Sequence, residues 1–337
     1  MSLTARVTSI TNQVIMPKLV DTVLKSNVLL SRLLPKAKTW QGTILQLPVK
    51  VTNTPTGSSF SGFDTFSITS GQPFQKLQFN DKAYQKTITL PLTEANINTG
   101  DAGVFNLLEA YSTVAEQEMA DEIGTLFYGT GAGNGGLDFL GMEAIVDNGT
   151  NAATYGGLSR TTYPTLNSSV TTSVGTLTLA TMVAAYNAVS DGSIQPTAVY
   201  CSPTVLGYIE TIYQPYNRVF SQNPATKPLE MNQGISAFQF KGMPVFPDRK
   251  ATSGTIYMVN EDYLYFYAVP SAMDKAIQYD LKIDGNNYNN LKGFGFQWTG
   301  WKPVINGYSL VGQVILQGEL ASQNPGRHAK LSGITGA

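Results

Sequence analysis

Few side chains in this sequence could carry out nucleophilic or metal-dependent chemistry. The 337 residues include one histidine, His328, and one cysteine, Cys201. This pair cannot supply a His/Cys metal cage, and no Ser-His-Asp or Cys-His centre with a buried base is credible. Cys201 stands in the segment AVYCS, which predicts a buried strand and a thiol that serves as a small apolar filler. A single cysteine also allows no intramolecular disulfide, and nothing indicates secretion.

Paired carboxylates are the other candidates for catalysis. Glu261 and Asp262 stand in a predicted turn beside aromatic residues, as in sugar-binding clefts. Carboxylates in turns are usually solvated caps, so an acidic-pair hydrolase is the weaker interpretation. Asp280, Asp284 and Asn286 match half of a calcium loop but lack the rest of its ligand pattern. We therefore predict no catalytic residues, no metal site and no cofactor.

A glycine-rich segment has the spacing of a dinucleotide-binding loop, with Gly131, Gly133 and Gly136 in the pattern GxGxxG. That motif needs a strand before it and a helix after it, because the helix N-terminus holds the phosphate. Here a helix is predicted to precede the glycines and none to follow them. The segment is interpreted as a flexible connector.

The surface is predicted to carry little charge. Charged residues make up 13% of the chain and hydrophobic residues 42%; the charged share is about half of that in ordinary soluble domains. Because charged groups are depleted from interface centres, this composition favours a protein whose outside is largely covered by copies of itself. Some secreted β-rich proteins share the composition and are the alternative.

Basic residues are concentrated at the two ends of a chain whose net charge is −1. Residues 1–40 contain one acidic residue, Asp21, and the tail after Glu319 carries Arg327 and Lys330 with no acid. Both ends would suit a polyanion, although solvated termini are the commoner explanation. The basic residues of the first segment are Arg6, Lys18, Lys25, Arg32, Lys36 and Lys38.

Signals for membranes or secretion are not found in the sequence. No apolar run approaches 18 residues, so no membrane-spanning segment is predicted. The N-terminus lacks a charged-then-apolar signal pattern, which predicts a cytoplasmic product.

The longest predicted element is a helix over residues 101–128, here called the spine. Asp101 is its predicted N-cap, and the glycines from Gly129 to Gly136 end it. About 25 residues give a rod of about 38 Å, suited to lie across a sheet. Its apolar residues recur at steps of three and four, the period of one helix face. They are Val104, Leu107, Leu108, Tyr111, Val114, Ala115, Met119, Ile123, Leu126 and Phe127.

Two segments before the spine have too little apolar surface to fold alone. Residues 1–40 predict an arm with one helix, Pro17–Leu33, which Pro35 closes. Residues 41–92 contain three alternating runs typical of strands, interrupted by a Ser/Thr/Gly loop that carries Phe60, Phe63 and Phe66. An isolated two-stranded hairpin is marginal in water, so it must lie on a neighbour in the same chain or another. Exposed phenylalanines would favour another chain, whereas buried ones would pack on their own core.

The region after the spine alternates between helix and strand. We predict a helix over Val174–Gly192, a strand over Pro196–Cys201 and a second helix from Ser202–Pro203 to about Tyr213. This order is typical of an α/β subdomain. Further strands are predicted at Gly242–Pro247, Gly254–Val259, Tyr263–Val269, Gly293–Trp301 and Tyr308–Leu320.

This order of parts resembles the major capsid protein of tailed bacteriophages, the Hong Kong 97-type fold, and the resemblance covers essentially the whole chain. The series consists of a basic arm, a long hairpin, a spine helix, a glycine-rich junction, an α/β lobe and a return to strands. The local phrases that carry it are GSSFSGFDTF (Gly57–Phe66), EMADEIGTLFYGTGAGNG (Glu118–Gly135), DFLGMEAIVDNGTNAATYGGLSR (Asp138–Arg160) and GQVILQGELASQNPGRHAKL (Gly312–Leu331).

The resemblance implies a fold class, a domain division and a function. The fold would be α+β, and the function would be a non-enzymatic shell of hexamers and pentamers, an icosahedral capsid enclosing double-stranded DNA. Partners would include portal, scaffold or decoration proteins and no membrane, and the protein would be located in the virion after assembly in the host bacterial cytoplasm. The division would be an N-arm at 1–40, an extended β-hairpin loop at 41–92, a peripheral domain at 93–172 and 286–337, and an axial domain at 173–285.

The resemblance also assigns residue roles. Phe60, Phe63 and Phe66 would make inter-subunit contacts, and the basic arm would face DNA through Arg6, Lys18, Lys25, Arg32, Lys36 and Lys38. Some members carry lysine–asparagine cross-links between subunits. The hairpin does contain lysines here, but no partner carboxylate and asparagine are evident, so no cross-link is predicted.

Two alternatives stay open. An encapsulin-like compartment shares the fold and packs an enzyme cargo, although the basic arm favours a DNA-facing interior. A β-rich glycan-active enzyme would use Glu261 and Asp262. A phage tail or fibre protein fits less well, because long helical spines followed by α/β lobes do not suit that role.

Overall fold

The computed structural model describes residues 27–52, 59–64, 71–93, 114–115, 118–119, 121–220, 238–269, 282–283, 286–287, 296–298, 302–305 and 307–337. Within them the helices are α1 (Val28–Leu33), α2 (helical at 114–115, 118–119 and 121–127), α3 (Gly133–Gly136), α4 (Met142–Ile145), α5 (Leu179–Val189) and α6 (Pro203–Phe220). Short 3-10 turns lie at Leu34–Lys36, Pro164–Leu166 and Pro325–Arg327.

The strands of the described residues follow the same chain order. They are β1 (Lys38–Thr39), β2 (Ile44–Lys50), β3 (Phe74–Asn80), β4 (Lys82–Pro91), β5 (Thr154–Tyr155), β6 (Leu158–Ser159), β7 (Ser169–Thr171), β8 (Gly175–Thr176), β9 (Ala198–Cys201), β10 (Phe238–Phe240), β11 (Met243–Pro247), β12 (Ile256–Val259), β13 (Leu264–Ala268), β14 (Lys282–Ile283), β15 (Asn286–Asn287), β16 (Phe296–Trp298), β17 (Lys302–Pro303), β18 (Ser309–Ser322), β19 (Ala329–Leu331) and β20 (Ile334–Gly336).

The first sheet is organised around the long strand β18. One edge of β18 pairs antiparallel with β4, and the other edge pairs antiparallel with β13, β16 and β17. β1 extends this sheet by pairing parallel to β13. Ile88, Leu90, Val314 and Leu316 stand at alternate positions of β4 and β18 and are buried in the larger apolar cluster, here called the main core. The two strands therefore follow the alternation in the sequence.

The spine is helical at its described residues up to Phe127, and Tyr128 lies in the turn that follows. Ala115, Met119, Ile123 and Phe127 lie at steps of four and are buried in the main core, so this part of the predicted stripe is confirmed. Val114 was predicted to lie in the apolar stripe but is exposed. It lies about 100° around the helix from Ala115 and therefore falls beside the stripe. The helix ends before the glycine-rich segment as expected; its predicted start lies outside the described residues.

The second sheet lies between the main core and a smaller apolar cluster, here called the lobe core. Its strand order is β10-β11-β9-β12-β19-β7. Every residue of β9 and β12 is buried, because both faces of the sheet are covered. Val199 and Met258 face α5 and α6 in the lobe core, whereas Tyr200 and Tyr257 face the main core.

The two lobe helices differ from their predicted bounds. α5 begins at Leu179 rather than Val174, because β8 occupies the preceding residues and pairs with β20. Thr178 then caps the helix through a capping box with Thr181. α5 also ends at Val189, short of the predicted glycine cap. α6 begins at the predicted proline and is longer than expected.

The described parts of the arm and of the hairpin pack in the main core. α1 ends at Leu33, and Pro35 lies in the 3-10 turn that follows, as the sequence predicts. Leu29, Leu30 and Leu33 are fully buried, so the arm packs on the body of its own chain. β2 and β3 form an antiparallel hairpin, while β4 leaves it to pair with β18. The predicted helix residues 17–26 lie outside the described residues.

Candidate assembly surface and arm junction

The base of the hairpin has a partner within the chain. Leu45, Leu47 and Val49 of β2 are buried at alternate positions. On β3, the Phe79 ring makes an edge-to-face contact with Tyr155, at 5.3 Å between centroids. The β5–β6 turn and the Phe79 contact therefore cover this face, which is the same-chain option of the two that the sequence left open.

The tip of the hairpin presents aromatic side chains to solvent. Phe60 and Phe63 are exposed, and Phe63 is fully so. A compact turn orients them: the Ser61 backbone N–H donates to the Asp64 carboxylate at 2.7 Å, and the Asp64 N–H donates back to the Ser61 carbonyl at 2.9 Å. The prediction for Phe66 lies outside the described residues. Neighbouring exposed phenylalanines are typical of contact surfaces.

Sequence reasoning missed one exposed aromatic residue of the hairpin. Phe74 opens β3, opposite Lys50 of β2, and its ring is exposed. Period-two alternation could have identified it, because Leu77 and Phe79 face inward and even-numbered residues of β3 must then face outward. The outward face of the hairpin also carries Lys76. This face combines apolar and basic side chains and has no acid within β2 or β3.

The described basic residues of the arm contact the body of the protein. Arg32 donates from Nε and Nη2 to the two carboxylate oxygens of Glu261, at 2.6 and 2.8 Å, and Lys36 Nζ lies 3.2 Å from Oε2. Lys38 Nζ stands 3.5 Å from the centroid of the Tyr265 ring. Arg32 and Lys36 thus contact the turn between β12 and β13, and Lys38 contacts β13 beside it. The region around this turn, where the two sheets meet, is here called the junction. Arg6, Lys18 and Lys25 lie outside the described residues.

Glu261 is a buried anion held by several donors. Besides the arm, the Tyr200 hydroxyl donates to Oε1 at 2.6 Å, and the Glu261 backbone N–H donates to Thr197 Oγ1 at 2.9 Å. Burial alone would raise the pKa of this carboxyl group, but the hydrogen bonds from Arg32 and Tyr200 and the charge of Lys36 outweigh it and hold the pKa below its usual value. A glycan hydrolase needs an accessible acid of raised pKa, so this geometry does not fit that role.

The basic tail residues are paired with acids from distant parts of the chain. Arg327 Nη2 lies 2.6 Å from Asp191 Oδ2, and Lys330 Nζ lies 3.0 Å from Glu143 Oε1. The Lys330 side chain is 3% exposed. The burial of Lys330 fits neither a polyanion-facing nor a solvated position, so the expectation is wrong for that residue. Arg327 is partly exposed and pairs with a largely exposed acid.

The single histidine, His328, is fully buried between the ends of β12 and β18. The backbone N–H of Asn260 donates to Nδ1 of His328 at 3.2 Å, which leaves the Nε2–H to donate to Ser322 Oγ at 2.7 Å. Burial lowers the pKa of His328 to about 3. The ring is therefore a neutral bridge between the ends of β12 and β18.

Arg160 is a second buried cation, which sequence reasoning did not single out. Its guanidinium group donates to the carbonyl groups of Ala144, Ile145, Asp147 and Leu166 at distances between 2.5 and 3.1 Å. Burial lowers the pKa of this arginine from its ordinary value. These bonds fix the segment that runs from α4 to β7. No spacing rule predicts four carbonyl acceptors.

The other chemical candidates have structural roles. Cys201 is fully buried, and burial raises the pKa of its thiol to about 12, which agrees with the predicted apolar filler. Gly133–Gly136 form a single turn in which Asn134 and Gly135 have left-handed backbone angles, so no helix N-terminus is available for phosphate. Within the described ranges, no group of three or more potential metal ligands occurs, and no helix is long and apolar enough to cross a membrane.

Solved structures share this architecture. A chain from the capsid asymmetric unit of cyanophage A-1(L) matches with a TM-score of 0.70 at 18% identity, covering 92% of this chain and 93% of its own. A chain from the capsid of a native GTA particle matches with a TM-score of 0.56 at 9% identity, covering 93% and 91%. The holo-SrpI encapsulin complex from Synechococcus elongatus gives 0.52 at 12% identity, covering 88% and 84%.

No protein-family model and no curated protein matches the sequence. The structural matches nevertheless show that the chain has the mixed α+β fold of capsid-shell proteins, phage capsids among them. The resemblance to phage capsid proteins is thus confirmed at the level of the fold.

Proposed function

We propose that this chain is the major capsid protein of a tailed bacteriophage. It assembles as hexamers and pentamers into an icosahedral shell of Hong Kong 97 type around double-stranded DNA, and it has no enzymatic activity. The observation that carries the proposal is the fold shared with the cyanophage capsid chain over 92% of this chain. The four-part division into N-arm, extended loop, peripheral domain and axial domain belongs to the same proposal, as do the virion location, assembly in the host cytoplasm and portal, scaffold or decoration partners.

The hairpin provides the inter-subunit contact in this proposal. Its base is held by its own chain, and Phe60 and Phe63 at the tip are exposed. An exposed apolar tip that binds a different surface of the next copy makes a heterologous contact, which generates a ring when the rotation between copies closes. Each weak contact is repeated around the shell, and multiplicity gives the shell its stability.

A replacement at the tip tests this contact. Phe63→Asp places a charge where the proposed interface excludes water, so the variant should remain a folded subunit that does not close shells in negative-stain micrographs. Phe63→Leu, the matched control, keeps an apolar side chain and should still form shells. Normal particles from Phe63→Asp would contradict the hairpin contact.

An encapsulin-like compartment is the second candidate, and the likeness to the SrpI encapsulin chain favours it. The two candidates differ in what the shell contains. Particles purified from cells and treated with nuclease should retain protected double-stranded DNA if this is a phage capsid. Closed shells that contain protein cargo and no nucleic acid would overturn the phage proposal in favour of the compartment.

A further inference from the structure

We propose that the N-terminal arm is a conformational latch, in which Arg32 binds Glu261 and thereby holds the turn that joins the two sheets. The arm latch comprises Arg32, Lys36, Tyr200 and Glu261. The proposal concerns the subunit itself and does not depend on shell formation.

The position of Glu261 allows the latch to connect the two sheets. This residue lies in the turn between β12 of the second sheet and β13 of the first sheet. Its carboxylate accepts from Tyr200, which belongs to β9 in the middle of the second sheet, and from Arg32 of the arm. One buried anion therefore connects the arm, the second sheet and the start of the first sheet.

The arm is held at a second point along α1. Asn27 Oδ1 accepts from the Leu30 backbone N–H at 3.2 Å, which caps the helix. The Asn27 side chain packs against Gly124 of the spine, where an added Cβ would lie 2.5 Å from Asn27 Nδ2. At the other end of the helix, the Arg32 guanidinium stands 4.5 Å from the centroid of the Phe246 ring. α1 thus docks as a unit.

Loss of Arg32 would leave Glu261 short of positive charge. Lys36 would be the remaining cation, on a side chain that is 44% exposed, beside a carboxylate that is 3% exposed. A buried carboxylate without adequate pairing must become hydrated or take up a proton. Near neutral pH, where protonation is costly, release of the arm should therefore open the turn to water, and the two events form one transition.

The expected pH dependence has opposite signs with and without the latch. Among the described residues, the titratable groups that contact Glu261 are Arg32, Lys36 and Tyr200. Asp262 is next to it in the turn, and His328 accepts from the backbone N–H of residue 260. In the intact protein the lowered pKa of Glu261 contributes stability above the ordinary carboxyl range, and this stability is lost as pH falls through the folded-state pKa. Without Arg32, burial raises the pKa, so the turn should be least stable near neutral pH and recover on acidification.

Hydrogen exchange of the full-length chain tests the coupling with the variants Arg32→Met, Glu261→Gln and the double variant. Near neutral pH, Arg32→Met should speed exchange in both α1 and residues 260–262 by about tenfold or more. At about pH 5 the increase should shrink. The double variant should exchange more slowly in the turn than Arg32→Met, because no buried charge is left unpaired.

Controls make the outcome decisive. Lys38→Met alters the same arm at a residue that stacks on Tyr265 and should leave the turn unchanged. Arg32→Lys, which retains a cation, should be intermediate and serves if Arg32→Met does not fold. Faster exchange in α1 with no change in residues 260–262, or a pH dependence identical to that of the intact protein, would overturn the latch.

Discussion

The hairpin tip and the junction between the two sheets depart from ordinary burial in opposite directions. At the tip, Phe60 and Phe63 are exposed; at the junction, Glu261 and His328 are buried, and so is Arg160, which follows β6. Charged side chains are rarely buried unless they are paired, and exposed clusters of large apolar side chains commonly mark contact surfaces. The contrast separates two regions: buried polar groups at the junction stabilise the subunit, whereas the exposed tip is where the proposed contact between copies would form.

Three tyrosine–carboxylate hydrogen bonds lie at or near the junction. They connect the spine and the second sheet to buried or half-buried acids, so each joins parts of the chain that are far apart in sequence. Removing one partner leaves a buried polar group without its bond, which costs more than the bond contributes in net terms. The pairs are Tyr128–Asp248 at 3.1 Å, Tyr200–Glu261 at 2.6 Å and Tyr257–Glu143 at 2.5 Å.

The largest effect on subunit stability is expected at Arg160. Arg160→Met keeps an apolar stem but leaves carbonyl groups without a donor, so the free energy of unfolding should fall by about 3–5 kcal/mol. Arg327→Met is the matched control, because its partner Asp191 is largely exposed, and it should cost under about 1 kcal/mol. Chemical denaturation measures both. Equal losses would mean that burial does not distinguish the two arginines.

Gly156 tests how the hairpin is held at its base. It has φ of +53°, and an added Cβ would lie 2.8 Å from Leu77 Cβ and 3.1 Å from Leu77 Cα. Gly156→Ala should therefore cost about 2–3 kcal/mol from left-handed strain and overpacking, and should speed exchange of the Gln78 amide, which donates to the Gly156 carbonyl. Gly157 has φ of +79° with open space around it, so Gly157→Ala isolates the strain and should cost about 1 kcal/mol. Similar costs would exclude the contact with Leu77.

Because of His328, the free energy of unfolding should depend on pH. Its folded-state pKa of about 3 lies below its unfolded value, so the unfolded chain binds a proton first and stability falls as pH decreases. Between about pH 7 and pH 5 this group alone should remove about 2 kcal/mol. His328→Asn does not titrate, so its stability should change less over the same interval. A variant with the slope of the intact protein would show that other groups dominate.

The limits of sequence prediction follow the same division between local and distant contacts. Met119, Ile123 and Phe127 follow a helical period, and Cys201 lies in a short apolar run, so local spacing was enough to predict their burial. The predicted start of α5 was wrong, because the residues before Leu179 include β8, which forms only by pairing with β20 near the C-terminus. In the same way, Lys330 is buried by an acid that lies 187 residues away. Such pairs leave no periodic signal, so the tip was predictable as a loop and the junction was not.

Phe63 should have the smallest effect on the subunit and so gives the sharpest test of the comparison. Its side chain is fully exposed, and surface replacements usually change the free energy of unfolding by under about 0.5 kcal/mol, so Phe63→Asp should unfold at the denaturant midpoint of the intact chain. Phe79, on the inward face of the same hairpin, is buried against Tyr155, and Phe79→Ala should cost about 3 kcal/mol or more. If Phe63→Asp destabilised the isolated subunit as much as Phe79→Ala, the tip would be part of the subunit core, and loss of assembly in that variant could not be assigned to a missing contact between copies.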